Sequence, residues 1–494
     1  MLMLSACLIS FCAVRAGGEW FAQPLVAHEW GVHVFDWQGN AALTEALPDF
    51  MHTDAKPGTS IPVEGRVKDL PPDSGIRTKP VLYFYTPGYN IGGETTPVGV
   101  EVRFAAGHAS AWWPQVSIYR TPAQVARAVP IDWPAWQAMH QGRRWNTPLT
   151  KVPDDERFEL VWHNLALTAA APNLPPAGGD LPEDHWVRRA RQVNSLYVSN
   201  GKEAEKFVFY EGKTAETPAI AILPPVDQQD VNYHLVNVSD FPIYDIFAVY
   251  RDSERGVVWT KYLAELPPAP ARPVRQGSVS GGMSAFPLPD FAALPNKSAP
   301  DAATFTAHTS DRLLEVLTAG EYFTGQFTDD FWRDPADFQP PTASAQLFPD
   351  EARAVEAIWR NDFFSAEGLT IIYRESPASL DQAMPLLLFT DMFHYVKLSR
   401  CGLVLNRHIP ISQLKAVDKA VTWSRWDAEN REEHLALCRQ NRFLALGLAR
   451  YYALMMPTAG YDYLDPQTKA EVHSGVPWFP RLIELLRVRG ERRP

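Results

Sequence analysis

The sequence contains no run of about 18 uninterrupted apolar residues, so it predicts no membrane-spanning helix. It also lacks an excess of positive charge: 46 Lys and Arg stand against 57 Asp and Glu, a formal net charge of −11. A nucleic-acid binder needs a basic stripe to displace counterions from phosphate, so nucleic acid is not an expected partner. Cysteine is scarce, with 4 in 494 residues, and no C-x-x-C pair occurs. A structural zinc site or dithiol centre of that kind is therefore unsupported. Neither the G-x-S-x-G nucleophile turn nor the G-x-x-x-x-G-K-S/T phosphate loop is present, which weakens ordinary serine-hydrolase and nucleotide readings. No D-x-D-x-D-G calcium loop occurs, and no internal repeat of roughly 20–50 residues is apparent.

What is present is globular in balance, 46% apolar and 21% charged, which excludes general disorder. At roughly 100–200 residues per domain, the length implies two or three domains. Leu2 to Val14 form an almost continuous apolar run that ends at Arg15-Ala16-Gly17-Gly18. An apolar core followed by small residues reads as a secretory signal, here residues 1–16 with a cut before Gly17, and predicts an exported protein: periplasmic, outer-envelope or secreted. Leu4-Ser5-Ala6-Cys7 also matches a bacterial lipobox, though only six residues precede Cys7. Once Cys7 and Cys12 leave with the signal, Cys401 and Cys438 remain. In an oxidising compartment they close one disulfide or stay as two separately buried thiols.

Residues 17–265 read as strand-rich, with β-branched and aromatic runs between Pro, Gly and Asn punctuation. The clearest runs are Val26–Asp36, Val81–Tyr85, Val98–Phe104, Phe158–Thr168, Glu205–Tyr210 and Ile243–Tyr250. Val81–Tyr85 and Phe207–Tyr210 are apolar on both alternating faces, as in central strands covered on both sides. Strands joined by Pro-rich loops favour an antiparallel β-sandwich-like domain over a doubly wound sheet. Trp133–Trp145 reads as a short inserted helix. Eight prolines and three glycines in residues 266–300 mark a linker. Beyond it, residues 301–494 read as an α+β part, mainly helical. Pro349-Asp350-Glu351 opens a helix with Ala352, Val355 and Trp359 on one side and Gly368 as its stop. Leu369–Tyr373 is a strand, Ser412 caps a second helix, and Asp427–Met456 forms the longest one.

The most suggestive cluster for chemistry is His28-Glu29-Trp30-Gly31-Val32-His33. It is not the zincin H-E-x-x-H, since the second His falls five residues after the first and the segment lacks helical periodicity. On a strand, Glu29, Gly31 and His33 share one face while His28 and Trp30 share the other. Glu29, His28 and His163 are the candidate acid–base residues; surface ion pairs and backbone hydrogen bonds explain the same residue types without any reaction. Trp112 and Trp113, with Arg103 and Arg191, are candidate ligand contacts, because indole faces stack on sugar rings and guanidinium groups bind anionic or hydroxylated molecules. Core packing is the competing reading for the Trp residues, and surface ion pairing for the Arg residues. No metal-ligand set and no cofactor is assigned.

Ala27-His28-Glu29-Trp30-Gly31 resembles the opening of a group of uncharacterised exported bacterial proteins with an N-terminal His-Glu-Trp-Gly motif. Four further stretches fit the same group: Lys79–Tyr85, Val100–Phe104 running to Trp112-Trp113-Pro114, Glu205–Tyr210, and Glu351-Ala352-Arg353-Ala354 leading to Trp359 and Phe364. The group usually continues after the Gly with small hydroxylated and aromatic residues, where this chain has Val32 and His33. The resemblance implies export and an N-terminal sandwich, and no reaction. The expectation is an exported binding or envelope-associated protein whose partner is a polysaccharide or cell-envelope component. The alternative is an extracytoplasmic, metal-assisted hydrolase using the His28/Glu29 region.

Overall fold

A computed structural model describes residues 25–35, 47–48, 50–54, 75–86, 95–105, 107–128, 156–174, 181–214, 216, 218–223, 232–268, 285–295, 302–318, 347–390, 396–412 and 414. The segments expected as signal, as the Trp133–Trp145 helix and as the Asp427–Met456 helix lie outside the described residues, as does Cys438. The first elements are β1 (Leu25–Phe35), β2 (His52–Thr53), β3 (Gly75–Tyr85), β4 (Thr96–Val102), β5 (Gly107–Trp113), β6 (Ile118–Tyr119) and α1 (Pro122–Val125). Then come β7 (Leu160–Thr168), α2 (Trp186–Ala190), β8 (Tyr197–Ser199), β9 (Ala204–Glu205), β10 (Val208–Thr214), β11 (Ile220–Leu223) and β12 (Tyr233–Asn237). The remainder are β13 (Ile243–Asp252), β14 (Val257–Leu266), β15 (Phe286–Leu288), α3 (Ala302–Thr318), α4 (Pro349–Phe364), β16 (Gly368–Glu375), α5 (Pro377–Ala383), β17 (Leu386–Phe389) and β18 (Val396–Ile409).

The fold is mainly β, with 47% of the described residues in strands and 21% in helices. Nine strands form one sheet in the order β14-β13-β16-β18-β1-β3-β10-β5-β2. Six form a second, running β17-β4-β7-β8-β9 with β6 also on β7, and β11-β12-β15 form a third. Pairing is antiparallel except between β1 and β18, which run parallel in unbroken register from Leu25↔Val396 to Phe35↔Asn406. β1 is covered on both sides: ten of its eleven residues are buried and only Gly31 is partly exposed. That matches its sequence, Leu-Val-Ala-His-Glu-Trp-Gly-Val-His-Val-Phe, which has no clean alternation of apolar and polar residues.

The expected mainly helical C-terminal part is corrected. Among the described residues after position 300, β16, β17 and β18 supply strands beside three helices, and the 14-residue β18 lies in the middle of the large sheet. Val396–Ile409 is rich in Leu and Val, yet its interior Arg400 and Gly402 mask a strand pattern that only pairing with β1 makes sense of. Strands from both sides of residues 266–300 therefore share one sheet.

Three apolar clusters fill the structure. The first lies on one face of the large sheet, where Val26, Trp30, Val32 and Val34 of β1 meet Ala352, Val355, Trp359 and Phe363 of α4. The second joins Leu25 and Ala27 of β1 and Leu82 and Phe84 of β3 to Val98, Val100, Leu165 and Leu388 of the six-stranded sheet. The third joins Phe35, Ile371 and Val404 to Ile220, Leu235 and Phe286 of the three-stranded sheet. Because side chains alternate along a strand, the second and third clusters occupy the face of β1 opposite the first. Between them, the β1 positions on that face are Glu29, Gly31 and His33.

Candidate functional site

Strand alternation splits the His-Glu motif. Glu29 and Arg400 are register partners on β1 and β18, and their side chains form a buried ion pair, with Arg400 Nε donating to Glu29 Oε2 and a second guanidinium nitrogen donating to Oε1 at 3.1 Å. The Tyr210 hydroxyl of β10 donates to the same Oε1 at 2.6 Å. Arg400 also donates to Asp381 of α5 at 2.9 Å. Glu29 thus ties together three strands and, through Arg400, one helix. Burial pushes the Tyr210 hydroxyl well above its ordinary value, and the Glu29 carboxylate adds to it, so the phenol remains the proton donor. Burial alone would weaken the charge on Arg400; Glu29 and Asp381 outweigh it and raise its pKa further.

A second ionic cluster lies a few residues along the same face. Arg77 of β3 is the register partner of His33. It donates to Glu375 of β16 at 2.7 and 3.0 Å and to Glu216 at 2.8 and 2.6 Å. One guanidinium therefore serves two carboxylates in fork geometry. Burial favours a neutral Glu216, yet Arg77 and His33 overcome it and hold that carboxyl at about 2. The stability contributed by ionised Glu216 is present above its ordinary pKa near 4.5 and is lost as pH falls through 2.

Two glycines separate the clusters. Gly31 and Gly402 are register partners on β1 and β18. A Cβ on Gly31 would stand 3.0 Å from the Pro80 Cα, and one on Gly402 would stand 2.7 Å from Leu380 Cδ2 and 3.1 Å from Glu375 Oε2. Their missing side chains leave the floor of a narrow crevice of about 20 Å³, lined by Glu29, His33 and Arg77 and walled by Leu380 and Met384. Ser376 holds the crevice wall in place by capping α5, its hydroxyl accepting from the Ser379 N–H at 3.1 Å.

His28 goes to the other face. Its Nδ1 lies 2.7 Å from Glu351 Oε2, and both side chains are buried. The ring stacks on Phe348, centroids 4.6 Å apart. Glu351 sits in the first turn of α4, after Pro349 at the start, and the same Oε2 accepts the Phe348 N–H at 2.6 Å, one half of a capping box. His28 therefore fastens β1 to the N-terminus of α4. Each member of the motif has its own joint: His28 to α4, Glu29 to β10 and β18, Trp30 in the first apolar cluster and Gly31 against β3.

The other candidates from the sequence do not converge on this place. His163 is exposed on β7 of the six-stranded sheet. Trp112 and Trp113 point to opposite faces of β5: Trp112 is fully buried and stacked on Tyr119 at 4.8 Å, and Trp113 stacks on His52 at 5.2 Å. Neither indole offers an open face, so they form no sugar platform; their packing follows from the area an indole hides when β5 is covered on both sides. Arg191 is bound bidentately by Glu205, closest contact 2.6 Å, and lies over the Phe50 ring. Arg103 is half-buried near Glu159. Cys401 carries a free thiol in the first cluster, pushed up to about 12 by burial. Sequence reasoning did not find Arg400, Arg77, Tyr210 or Asp381. Arg400 followed at once by Cys401-Gly402 inside an apolar run was the available signal.

Among the described residues no group of three or more His, Cys, Asp or Glu side chains is placed to hold a metal ion, and no helix is long and apolar enough to cross a membrane. No known protein family, no protein of established function and no solved structure matches this chain.

Proposed function

We propose that this is an exported, non-catalytic binding or envelope-associated protein, in which the His-Glu-Trp-Gly motif is a structural joint. The observation that carries the reading is the opposed saturation of His28 and Glu29. His28 is held by Glu351 on one face of β1, and Glu29 by Arg400 and Tyr210 on the other. A general base needs a free lone pair within reach of a substrate proton, and neither residue presents one to a shared space. The signal-like Leu2–Val14 run supports export, and the resemblance to exported bacterial proteins with the same motif points the same way. The sandwich-like reading of the first half rests on the second apolar cluster, shared by the nine- and six-stranded sheets.

The Gly31/Gly402 crevice, bordered by the ionic belt, supports this reading as a place to receive a small group of a polysaccharide or envelope component. Purified protein is assayed for binding to polysaccharides, peptidoglycan and outer-membrane lipids, together with the variant Gly402→Ala, whose Cβ closes on Leu380. Saturable binding that the variant weakens supports the reading. No binding alongside measurable turnover of a glycan or ester substrate overturns it. The alternative, an extracytoplasmic hydrolase, keeps one supporting feature: Glu29 and His33 both line that crevice. It predicts that Glu29→Gln removes turnover from a protein that remains folded.

A further inference from the structure

The nine-stranded sheet ends on a long strand. Among the described residues β14 pairs with β13 alone, and it forms one edge of the sheet. Its ten residues, Val257 to Leu266, contain no Pro and no Gly, and its register with β13 runs without a shift. The eight residues between its ends are all partly or fully exposed. Its two faces are already furnished: Tyr262 packs toward α3, with Arg312 4.9 Å from the ring centroid, and Trp259 meets Phe291 at 5.3 Å on the other side. Among the described residues, what remains open from Val258 to Glu265 is the backbone edge, a row of N–H and C=O groups that pairs readily with another strand. Natural edges are usually blunted by Pro, bulges or short length; here the only such devices are charges, Lys261 and Glu265.

Those two charges are self-complementary. Residues 261 and 265 lie four apart on one strand face, equidistant from Leu263. If two copies pair antiparallel about a two-fold axis at Leu263, Lys261 of each stands directly opposite Glu265 of the other, giving two opposite-charge cross-strand pairs. The Leu266 carbonyl already accepts from the Asn237 Nδ2–H at 3.0 Å and Pro268 bridges to Asn237, and Pro267 and Pro268 lack an N–H, so the ladder runs over residues 261–265. Lys261 Nζ donates at 3.2 Å to the Pro287 carbonyl in the single chain, a neutral acceptor and a weaker partner than a carboxylate.

We infer that the occupant of this edge is a second copy of the chain, and that the protein forms a two-fold dimer through antiparallel β14–β14 pairing centred on Leu263. The test is sedimentation of the full chain across concentrations by analytical ultracentrifugation, with circular dichroism checking the fold of each variant. The expected result is a monomer–dimer equilibrium. Glu265→Lys and Lys261→Glu each weaken the dimer by about tenfold, since each turns two attractive pairs into two repulsive ones. The double variant Lys261→Glu/Glu265→Lys restores the wild-type constant. A chain that stays monomeric at every concentration overturns the inference. So does a dimer indifferent to the single reversals, or one that the double variant fails to restore while remaining folded.

Discussion

On one face of the nine-stranded sheet, Val26, Trp30, Val32 and Val34 of β1 enter a single apolar cluster under α4, interrupted only by the His28–Glu351 contact. On the opposite face, Leu25 and Ala27 are cut off from Phe35 by Glu29, Gly31 and His33. The first face meets helices, whose apolar stripe is continuous. The second meets two different small sheets, and the ionic belt fills the seam between them. Apolar packing tolerates sliding and repacking, whereas a buried carboxylate must find its own guanidinium. Buried ion pairs add little net stability compared with apolar residues of the same size, and removing one partner is costly. The seam therefore specifies register across the sheet: Glu29 selects its neighbour β18 through Arg400, and Arg77 of β3 reaches past β1 and β18 to Glu375 of β16.

Substitutions can separate these two modes of burial. The largest effect is expected from Arg77→Met, which leaves Glu216 and Glu375 without their shared cation. Urea unfolding should show a loss of about 3–5 kcal/mol or more. If the loss were below about 1 kcal/mol, the belt would be a solvated surface feature.

Next is Glu159, which is buried beside the six-stranded sheet and accepts N–H bonds from Phe104 and Ala109. Burial pushes its carboxyl up to about 8 against these two bonds and Arg103. A carboxyl with a raised folded-state pKa costs nothing below its ordinary value near 4.5. Its cost grows as pH rises to 8 and is constant beyond. Glu159→Gln should therefore match wild type near pH 4 and gain on it through pH 8, by a few kcal/mol at about 1.4 kcal/mol per pKa unit. Thermal unfolding across pH measures the gap, and a gap independent of pH contradicts the assignment.

On the helical face, Glu351→Gln weakens both the His28 contact and the bond to the Phe348 N–H. The expected loss is about 1–3 kcal/mol, with faster amide exchange confined to the start of α4. The smallest effect belongs to Ser376→Ala, which removes the α5 cap for about 1 kcal/mol. If it also loosens α5 against Gly402, it sharpens the view that the crevice wall is held from the helix end.

Much of the local structure was legible. Val81–Tyr85 lies within β3, Phe158–Thr168 nearly coincides with β7, and Ile243–Tyr250 lies within β13, because period-two patterns and bulky β-branched runs are local signals. The α4 helix begins at Pro349 as its residues indicate. The prediction that Glu29, Gly31 and His33 share a face also agrees with the structure, since Trp30 and Val32 between them enter the first apolar cluster and β1 keeps unbroken register with β18. What could not be read was partnership. Nothing near Glu29 in sequence points to Arg400, 371 positions away, or to Tyr210, 181 away. Pairing across such distances is fixed by the assembled sheet, and β18 itself was hidden by the Arg and Gly that the seam requires.

The most direct test of the joint is a double-mutant cycle at its centre, with Glu29→Leu, Arg400→Met and the pair of them unfolded in urea. The structural account predicts that each single substitution destabilises by about 3–5 kcal/mol and that the double variant costs clearly less than their sum, by about 1–3 kcal/mol. Additive losses, or a Glu29→Leu protein as stable as wild type that has lost a chemical activity, would contradict it.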